Sequence, residues 1–235
     1  MADARIVREG RHAMLAEDSL GEAPTVAWFD AVEWRREGAS ELDTGRGAVL
    51  ISTRGADRWV LRHYCRGGLV SRFVEDHYLW LGLERTRAFR EWRMLRRLHA
   101  AGLPVPNPVA AHVYRAGAIY TADIITSYLP NTHKLSWFLT QGQVPPGCWH
   151  RIGRTIRAVH EYGVDHPDLT AHNILLDDRG DVFLVDFDNA RVRTAGPWRR
   201  AGVDRFQRSL RKVALETGIP FDAAAWLEIE RSYGE

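Results

Sequence analysis

The 235-residue chain is poor in the features that define several common protein classes. It has only two cysteines, Cys65 and Cys148, which are too few for a disulfide framework or a cysteine-based zinc site. No apolar run approaches the roughly 20 residues that a membrane-spanning helix needs, and the first residues lack a signal-peptide core. A formal net charge of +2 gives no general affinity for nucleic acid. We therefore expect a cytoplasmic protein with reduced thiols whose membrane contacts are peripheral.

Lysine is also scarce, because 30 of the 32 basic residues are arginine and only Lys134 and Lys212 are lysine. The apolar share of 45% and the charged share of 26% are ordinary for a globular protein. The length allows one large domain or two small ones. We place a boundary in the connector "LPNTHKL", which divides the chain into an N-terminal lobe, residues 1–127, and a C-terminal lobe, residues 128–235.

Residues 47–52 and 58–64 read as two β-strands joined by the turn-like "TRGAD", and residues 118–126 read as another strand. Residues 86–99 show the periodicity of an amphipathic helix. The buried stripe of that helix comprises Ala88, Phe89, Trp92, Leu95 and Leu98. Glu91 falls inside this stripe, where a carboxylate is costly unless a cation meets it. The pattern predicts an antiparallel sheet with one main helix.

The second half of the chain favours helices around a short hairpin. A helix is predicted over residues 148–162, and the tail at 198–231 reads as mostly helical. The strands "NILL" and "VFLVDF" flank "DDRGD", a hairpin signal. Such a hairpin brings Asn173 and Asp186 to the same end, with Asp168 one short loop away. An amide oxygen and two carboxylates are hard ligands suited to Mg²⁺, and one carboxylate can be left over as a base.

This spacing matches the catalytic set of protein kinases. Residues 166–173, "HPDLTAHN", fit H-x-D-L-x-x-x-N, and Asp186 with the residue after it fits the start of D-F-G. The sequence therefore predicts an α+β, protein-kinase-like fold of two lobes with a mostly helical C-terminal lobe. Asp168 is the predicted catalytic base, and Asn173 and Asp186 are the predicted ligands of Mg²⁺ on ATP.

Three positions depart from the protein-kinase pattern. Pro167 replaces the arginine of the catalytic loop, Thr170 stands where protein kinases carry lysine, and Asp188 replaces the glycine of D-F-G. These changes favour a small-molecule or sugar kinase over a regulated protein kinase.

The N-terminal lobe then provides the candidate nucleotide site. Gly45 and Gly47 precede a strand and would let the backbone approach phosphates. Arg62, in "WVLR", occupies the register of the strand lysine of kinases, and Glu91 is the helix carboxylate that would orient it. Arg66 is a further candidate for a contact to a carboxylate or phosphate of the substrate.

The chain resembles the 3-deoxy-D-manno-octulosonate (Kdo) kinases of lipopolysaccharide core biosynthesis over about residues 40–215. The likeness rests on "TGRGAV", "LRHYCRGGL", "TRAFREWRMLRRLHAAGLPVPNPVAA", "YTADIIT", "HPDLTAHNILL", "VDFD" and "PWRRAGVDRFQRSLRK". It implies ATP-dependent phosphorylation of the 4-hydroxyl of Kdo on a lipid A precursor, with Mg²⁺. It also implies a peripheral position on the cytoplasmic face of a Gram-negative inner membrane.

The segment from Arg62 to Arg97 carries nine arginines against four acidic residues, with six aromatic residues between them. Such a segment suits an anionic glycolipid or membrane surface, although it is equally what a solvated helix face with core aromatics looks like. Two other functions stay open on the sequence alone. One is a different small-molecule or lipopolysaccharide heptose kinase of the same superfamily. The other is a pseudokinase that binds nucleotide as a binding module.

Overall fold

The structure is a computed structural model that describes residues 4–43, 48–65 and 76–235. The chain divides into two compact units. The first comprises Met1–Arg96 and Asn107–Tyr128, and the second comprises Arg97–Pro106 and Leu129–Glu235.

The first unit is built on one antiparallel sheet. Within the described residues its strands are β1 (Ala4–Glu9), β2 (His12–Glu17), β3 (Ser40–Asp43), β4 (Ala48–Arg54), β5 (Asp57–His63), β6 (Tyr78–Leu79), β7 (Pro108–Ala116) and β8 (Ile119–Ser127). The strand order is β1-β2-β7-β8-β5-β4-β3, and β6 pairs with β8. Among the described residues, the α-helices α1 (Ala31–Arg36) and α2 (Arg87–Ala100) accompany the sheet. The predicted antiparallel sheet with α2 as its main helix is confirmed.

Both faces of this sheet carry buried side chains. One face packs with the segment around α1 into a core cluster of Met14, Ala16, Phe29, Trp34, Leu50, Leu61, Val109, Ala110 and Ile125. The predicted stripe of α2 is buried along its whole length. Hydrogen bonds tie α2 to the strands, including Arg96 Nε to Glu17 of β2 at 2.8 Å. The sheet therefore has an apolar core on one face, and ion pairs connect its strands to α2.

The second unit is mostly helical, as the sequence predicts. Its described helices are α3 (Leu135–Gln141), α4 (Cys148–Glu161), α5 (Trp198–Thr217) and α6 (Ala223–Gly234). Its short strands are β9 (His133–Lys134), β10 (Val164–Asp165), β11 (Ile174–Leu176), β12 (Val182–Leu184) and β13 (Arg191–Val192). α4 and α6 approach closely at Gly153, where an added Cβ would lie 2.5 Å from the carbonyl oxygen of Ile229. A larger residue at Gly153 would push the two helices apart.

Some elements differ from the sequence-based prediction. β1, β2 and β7 were not predicted, and the predicted connector at 129–135 contains β9 and the start of α3. The hairpin strand β12 ends at Leu184, earlier than the predicted run to residue 187. Residues 97–106 belong with the second unit although they precede the predicted boundary, and one of them, Pro104, accepts a hydrogen bond from the backbone N–H of Leu184 at 3.0 Å.

Candidate active site

The hairpin of β11 and β12 brings Asn173 and Asp186 to the same end of the second unit. Ile174 pairs with Leu184, and one step beyond this pair the backbone N–H of Val185 donates to the carbonyl oxygen of Asn173 at 3.1 Å. Asp186 follows with φ of +66°, in the left-handed region that aspartate tolerates better than most residues. This backbone change ends the extended run and explains why β12 is shorter than predicted.

Asp168 lies on an exposed loop that Asn173 holds in place. The amide Nδ2 of Asn173 donates to the backbone carbonyl of Asp168 at 2.8 Å, so the loop is closed across five positions. A second amide, Nδ2 of Asn189, lies 3.3 Å from Oδ2 of Asp168. The structure thus brings Asp168 and Asn173 into direct contact and places Asp186 beside Asn173 at the end of the hairpin.

His166 braces this loop against the hairpin. It is only 2% exposed, its Nε2 donates to the carbonyl oxygen of Val185 at 3.1 Å, and its ring packs against Phe187 at 4.7 Å between centroids. Burial lowers the pKa of His166 below its ordinary value. A neutral imidazole that donates through Nε2 fits a structural brace better than a proton carrier.

The donor set at this end of the hairpin fits a magnesium ion that also binds phosphate. Among residues 4–43, 48–65 and 76–235, no group of three or more histidine, cysteine, aspartate or glutamate side chains is arranged to hold a metal alone. Because Nδ2 of Asn173 is used by the loop, its amide oxygen is the atom left to face a cation. This oxygen and the carboxylate of Asp186 make two hard ligands, and Mg²⁺ commonly takes one or two carboxylates together with substrate phosphates and water.

The first unit contains the predicted arginine–glutamate pair. Nη2 of Arg62 on β5 lies 2.6 Å from Oε1 and 2.5 Å from Oε2 of Glu91 on α2. Glu91 is 2% exposed, whereas the Arg62 side chain is 28% exposed. The hydroxyl of Tyr64 also donates to Glu91. The buried carboxylate is therefore met by a cation and a hydroxyl, which offset part of the free-energy cost of burying it.

Three of the predicted site residues lie outside the described residues. These are Gly45, Gly47 and Arg66. Their assignments to phosphate and substrate stay predictions, as do the roles of Asp168, Asn173, Asp186, Arg62 and Glu91.

Two residues near these groups were missed by the sequence analysis. Tyr64 directly follows the end of β5 and is two positions after Arg62, so continued strand alternation places both side chains on one face, and this period was available as a signal. Asn189 lies three positions after Asp186 in an irregular segment. No periodicity marks its contact with Asp168.

The chain is similar over most of its length to known kinases. The profile of the Lipopolysaccharide kinase (Kdo/WaaP) family matches residues 28–233. A 3-deoxy-D-manno-octulosonic acid kinase of Haemophilus influenzae is 39% identical over 216 residues, covering 88% of this chain and 89% of the relative. A kinase of the same name from Stenotrophomonas maltophilia is 37% identical over 230 residues, covering 96% and 92%. Another, from Vibrio parahaemolyticus, is 35% identical over 213 residues, covering 90% of each chain.

The family match confirms the predicted resemblance, and the match extends beyond the motifs that suggested it. It begins at residue 28, ahead of β5 with Arg62, and ends at residue 233 in α6. The fold and the phosphotransferase class both follow from this coverage. The chain belongs to the Lipopolysaccharide kinase (Kdo/WaaP) family.

Proposed function

We propose that this protein transfers the γ-phosphoryl group of ATP to the 4-hydroxyl of Kdo on a lipid A precursor. The observation that carries the proposal is the arrangement of Asp168, Asn173 and Asp186 at one end of the β11–β12 hairpin in a chain of this family. The names of the related kinases supply the sugar. The lipid-borne acceptor and the 4-hydroxyl come from the family resemblance.

In the proposed reaction Asp168 receives the proton of the acceptor hydroxyl. The acceptor oxygen forms a bond to the γ-phosphorus, the bond from that phosphorus to the bridging oxygen breaks, and ADP leaves. Asn173 and Asp186 would hold Mg²⁺, which when bound neutralises charge on the ATP phosphates. His166 and Asn173 keep the Asp168 loop in one geometry, which matters because phosphoryl transfer depends mainly on positioning and electrostatics.

Arg62 would neutralise phosphate charge in the first unit, with Gly45 and Gly47 covering the phosphates and Arg66 contacting the acceptor. The contacts of Arg62 with Glu91 support its part of this assignment, because two hydrogen bonds from one nitrogen fix the guanidinium group. An arginine needs no pKa adjustment to remain charged at such a position.

We further propose that the protein works at the cytoplasmic face of the inner membrane, because its proposed acceptor is anchored there. No helix among the described residues is long and apolar enough to cross a membrane. The arginine-rich segment supports attraction to anionic lipids, although several of its members are already paired within the protein. Arg93 lies 2.6 Å from Glu84, and Arg96 lies 2.8 Å from Glu17.

The deciding experiment measures transfer of labelled γ-phosphate to defined acceptors. The acceptors are a Kdo-bearing lipid A precursor, free Kdo and a heptosylated lipid, and the phosphorylated position is read by nuclear magnetic resonance. We expect labelling of the Kdo-bearing lipid at the 4-hydroxyl. Labelling only of heptose would replace the proposal by a heptose kinase. Binding of Mg·ATP without transfer to any acceptor would replace it by a nucleotide-binding module.

A further inference from the structure

A chain of polar side chains crosses the sheet of the first unit, on the face opposite Arg62. His63 on β5 is the cross-strand partner of Asp123 on β8, and Asp123 is in turn the partner of His112 on β7. Because side chains alternate along a strand, His63 lies on the other face of β5 from Arg62 and Tyr64. His12 on β2 extends the chain to a fourth strand.

The hydrogen bonds of this chain converge on Asp123. Oδ1 of Asp123 lies 2.6 Å from Nδ1 of His63, and Oδ2 lies 2.8 Å from Nδ1 of His112. Nε2 of His112 continues to Nδ1 of His12 at 2.9 Å, and Nε2 of His63 lies 3.5 Å from Oδ2 of Asp76. A carboxylate can only accept, so both histidines that meet Asp123 carry their proton on Nδ1.

The charge states are consistent with this direction of donation. Burial acts to raise the pKa of Asp123, but the hydrogen bonds from His112 and His63 outweigh it and hold the pKa below its usual value. The hydrogen bond to Asp123 in turn raises the pKa of His63 above its ordinary value. A largely buried ionised carboxylate at the centre of a sheet needs such partners.

The end of β5 is consequently fixed on both faces by three consecutive residues. On one face Arg62 and Tyr64 bind Glu91 of α2. On the other face His63, between them, binds Asp123 of β8. A pair of apolar residues in place of His63 and Asp123 could give the same folding stability. Stability alone therefore does not explain why a charged pair is present. What the pair adds is a directional bond that sets where the strand lies.

We propose that His63 and Asp123 are positioning residues that hold the end of β5 so that Arg62 stays aligned on Glu91. They act on nucleotide binding through Arg62 and touch neither nucleotide nor acceptor. This inference rests on the proposed function, because that function assigns Arg62 to the phosphates of ATP.

The test is a double-mutant cycle on ATP affinity, measured by calorimetry on the full chain with Mg²⁺. The four proteins are wild type, His63→Ala, Arg62→Ala and the double variant. We expect His63→Ala to raise the Kd for ATP roughly tenfold in the wild-type background and to have almost no effect when Arg62 is already alanine. The KM for the acceptor should not change with His63→Ala.

Three further variants separate positioning from general stability. His63→Asn keeps an N–H donor near the place of Nδ1 and should recover most of the ATP affinity. Asp123→Asn removes the charge while keeping the shape, and it replaces His63→Ala in the cycle if that variant does not fold. His77→Ala is the matched control, because His77 contacts Asp76 at 2.7 Å and lies outside the bonds to Asp123. Its ATP affinity should equal that of wild type.

Equal losses from His63→Ala with and without Arg62 would overturn the positioning role, as would an unchanged Kd for ATP in a folded His63→Ala protein. An Arg62→Ala protein that binds ATP normally would instead contradict the assignment of Arg62 in the proposed function. The two failures are therefore distinguishable in one set of measurements.

Discussion

The two units hold the charges of their predicted site residues in different ways. In the first unit the carboxylate of Glu91 is buried and already held by Arg62 and Tyr64. In the second unit Asp168 is exposed and Asp186 half-buried, and the loop of Asp168 is held through a backbone carbonyl. A charge whose task is to orient a neighbour can be satisfied inside the protein. A charge that is proposed to meet a metal ion or a substrate proton has to stay at least partly accessible.

The two units also differ in the direction in which the pKa of a histidine is shifted. His63 in the first unit is paired with a carboxylate, which raises its pKa. His160 in the second unit is 2% exposed and contacts the hydroxyl of Tyr233 at 2.8 Å, and burial lowers its pKa to about 4. The first unit pairs His63 with a carboxylate between two strands, whereas the second buries a neutral histidine between helices.

The largest effect should come from the exposed carboxylate of the second unit. Asp168→Asn keeps the shape of the side chain but removes the carboxylate that is proposed to receive the acceptor proton. We expect kcat to fall by roughly 10²–10⁴-fold, the range for general-base catalysis, with the Kd for ATP almost unchanged. Asp178→Asn, at an exposed position of the hairpin turn, is the control. Near-normal turnover by Asp168→Asn would show that another group accepts the proton.

Replacement of Asp186, the other carboxylate at the end of the hairpin, should raise the Mg²⁺ concentration that the reaction needs. Asp186→Asn removes one unit of negative charge from the predicted ligand set, and we expect kcat at ordinary Mg²⁺ to fall by roughly 10²-fold. Raising the Mg²⁺ concentration should restore part of this loss in Asp186→Asn but none of the loss in Asp168→Asn. The measurement is kcat against Mg²⁺ concentration, and equal Mg²⁺ dependence in wild type and Asp186→Asn would exclude Asp186 as a ligand.

The buried histidine of the second unit should make stability fall in mild acid. With a folded-state pKa of about 4 against an ordinary 6.5, the unfolded chain binds the proton first as pH falls. The contribution of His160 is therefore lost progressively from about pH 6.5 down to about pH 4, by about 3 kcal/mol in the free energy of unfolding. Urea unfolding of wild type and His160→Asn at several pH values measures this, and the variant should show a smaller decrease.

Other histidines with shifted pKa values set the background of that measurement, including His12, whose pKa is lowered by burial. The pKa of buried His166 is also lowered, so its effect has the same sign and remains in the His160→Asn protein. The pKa of His63 is raised, so its stabilising contribution is complete below its unfolded pKa and is lost as pH rises through the folded value. An identical pH dependence in wild type and His160→Asn would contradict the neutral, buried state of His160.

The smallest effect should come from the internally satisfied pair of the first unit. Glu91→Gln leaves Arg62 charged and partly exposed but removes its charged partner. We expect a roughly tenfold rise in the Kd for ATP, the value of one hydrogen bond between charged groups. Glu84→Gln is the matched control, because Glu84 pairs with Arg93 at the surface, where ion pairs contribute about 0–1 kcal/mol. A normal Kd for ATP in Glu91→Gln would mean that Glu91 serves folding alone.

Local elements were predicted well because their signals lie in neighbouring residues. The stripe of α2 and the turn "DDRGD" each specify one element through periodicity and turn chemistry. Strands β1, β2 and β7 were not predicted, since their identity depends on partners elsewhere. β2 pairs with β7, and His12 bonds to His112, 100 positions later in the chain. Burial of Glu91 was anticipated, but its second partner, Tyr64, was missed although strand alternation offered a signal for it.

The sequence by itself determined the class of fold, the hairpin that carries Asn173 and Asp186, and the helix that carries Glu91, because each follows from spacing along a short segment. Only the tertiary structure decided that Asn189 reaches Asp168, that Asp123 joins His63 and His112, and that His112 in turn contacts His12. These contacts join segments that are distant in sequence or irregular in backbone. Register and strand order fix such contacts, and neither leaves a periodic trace in the sequence.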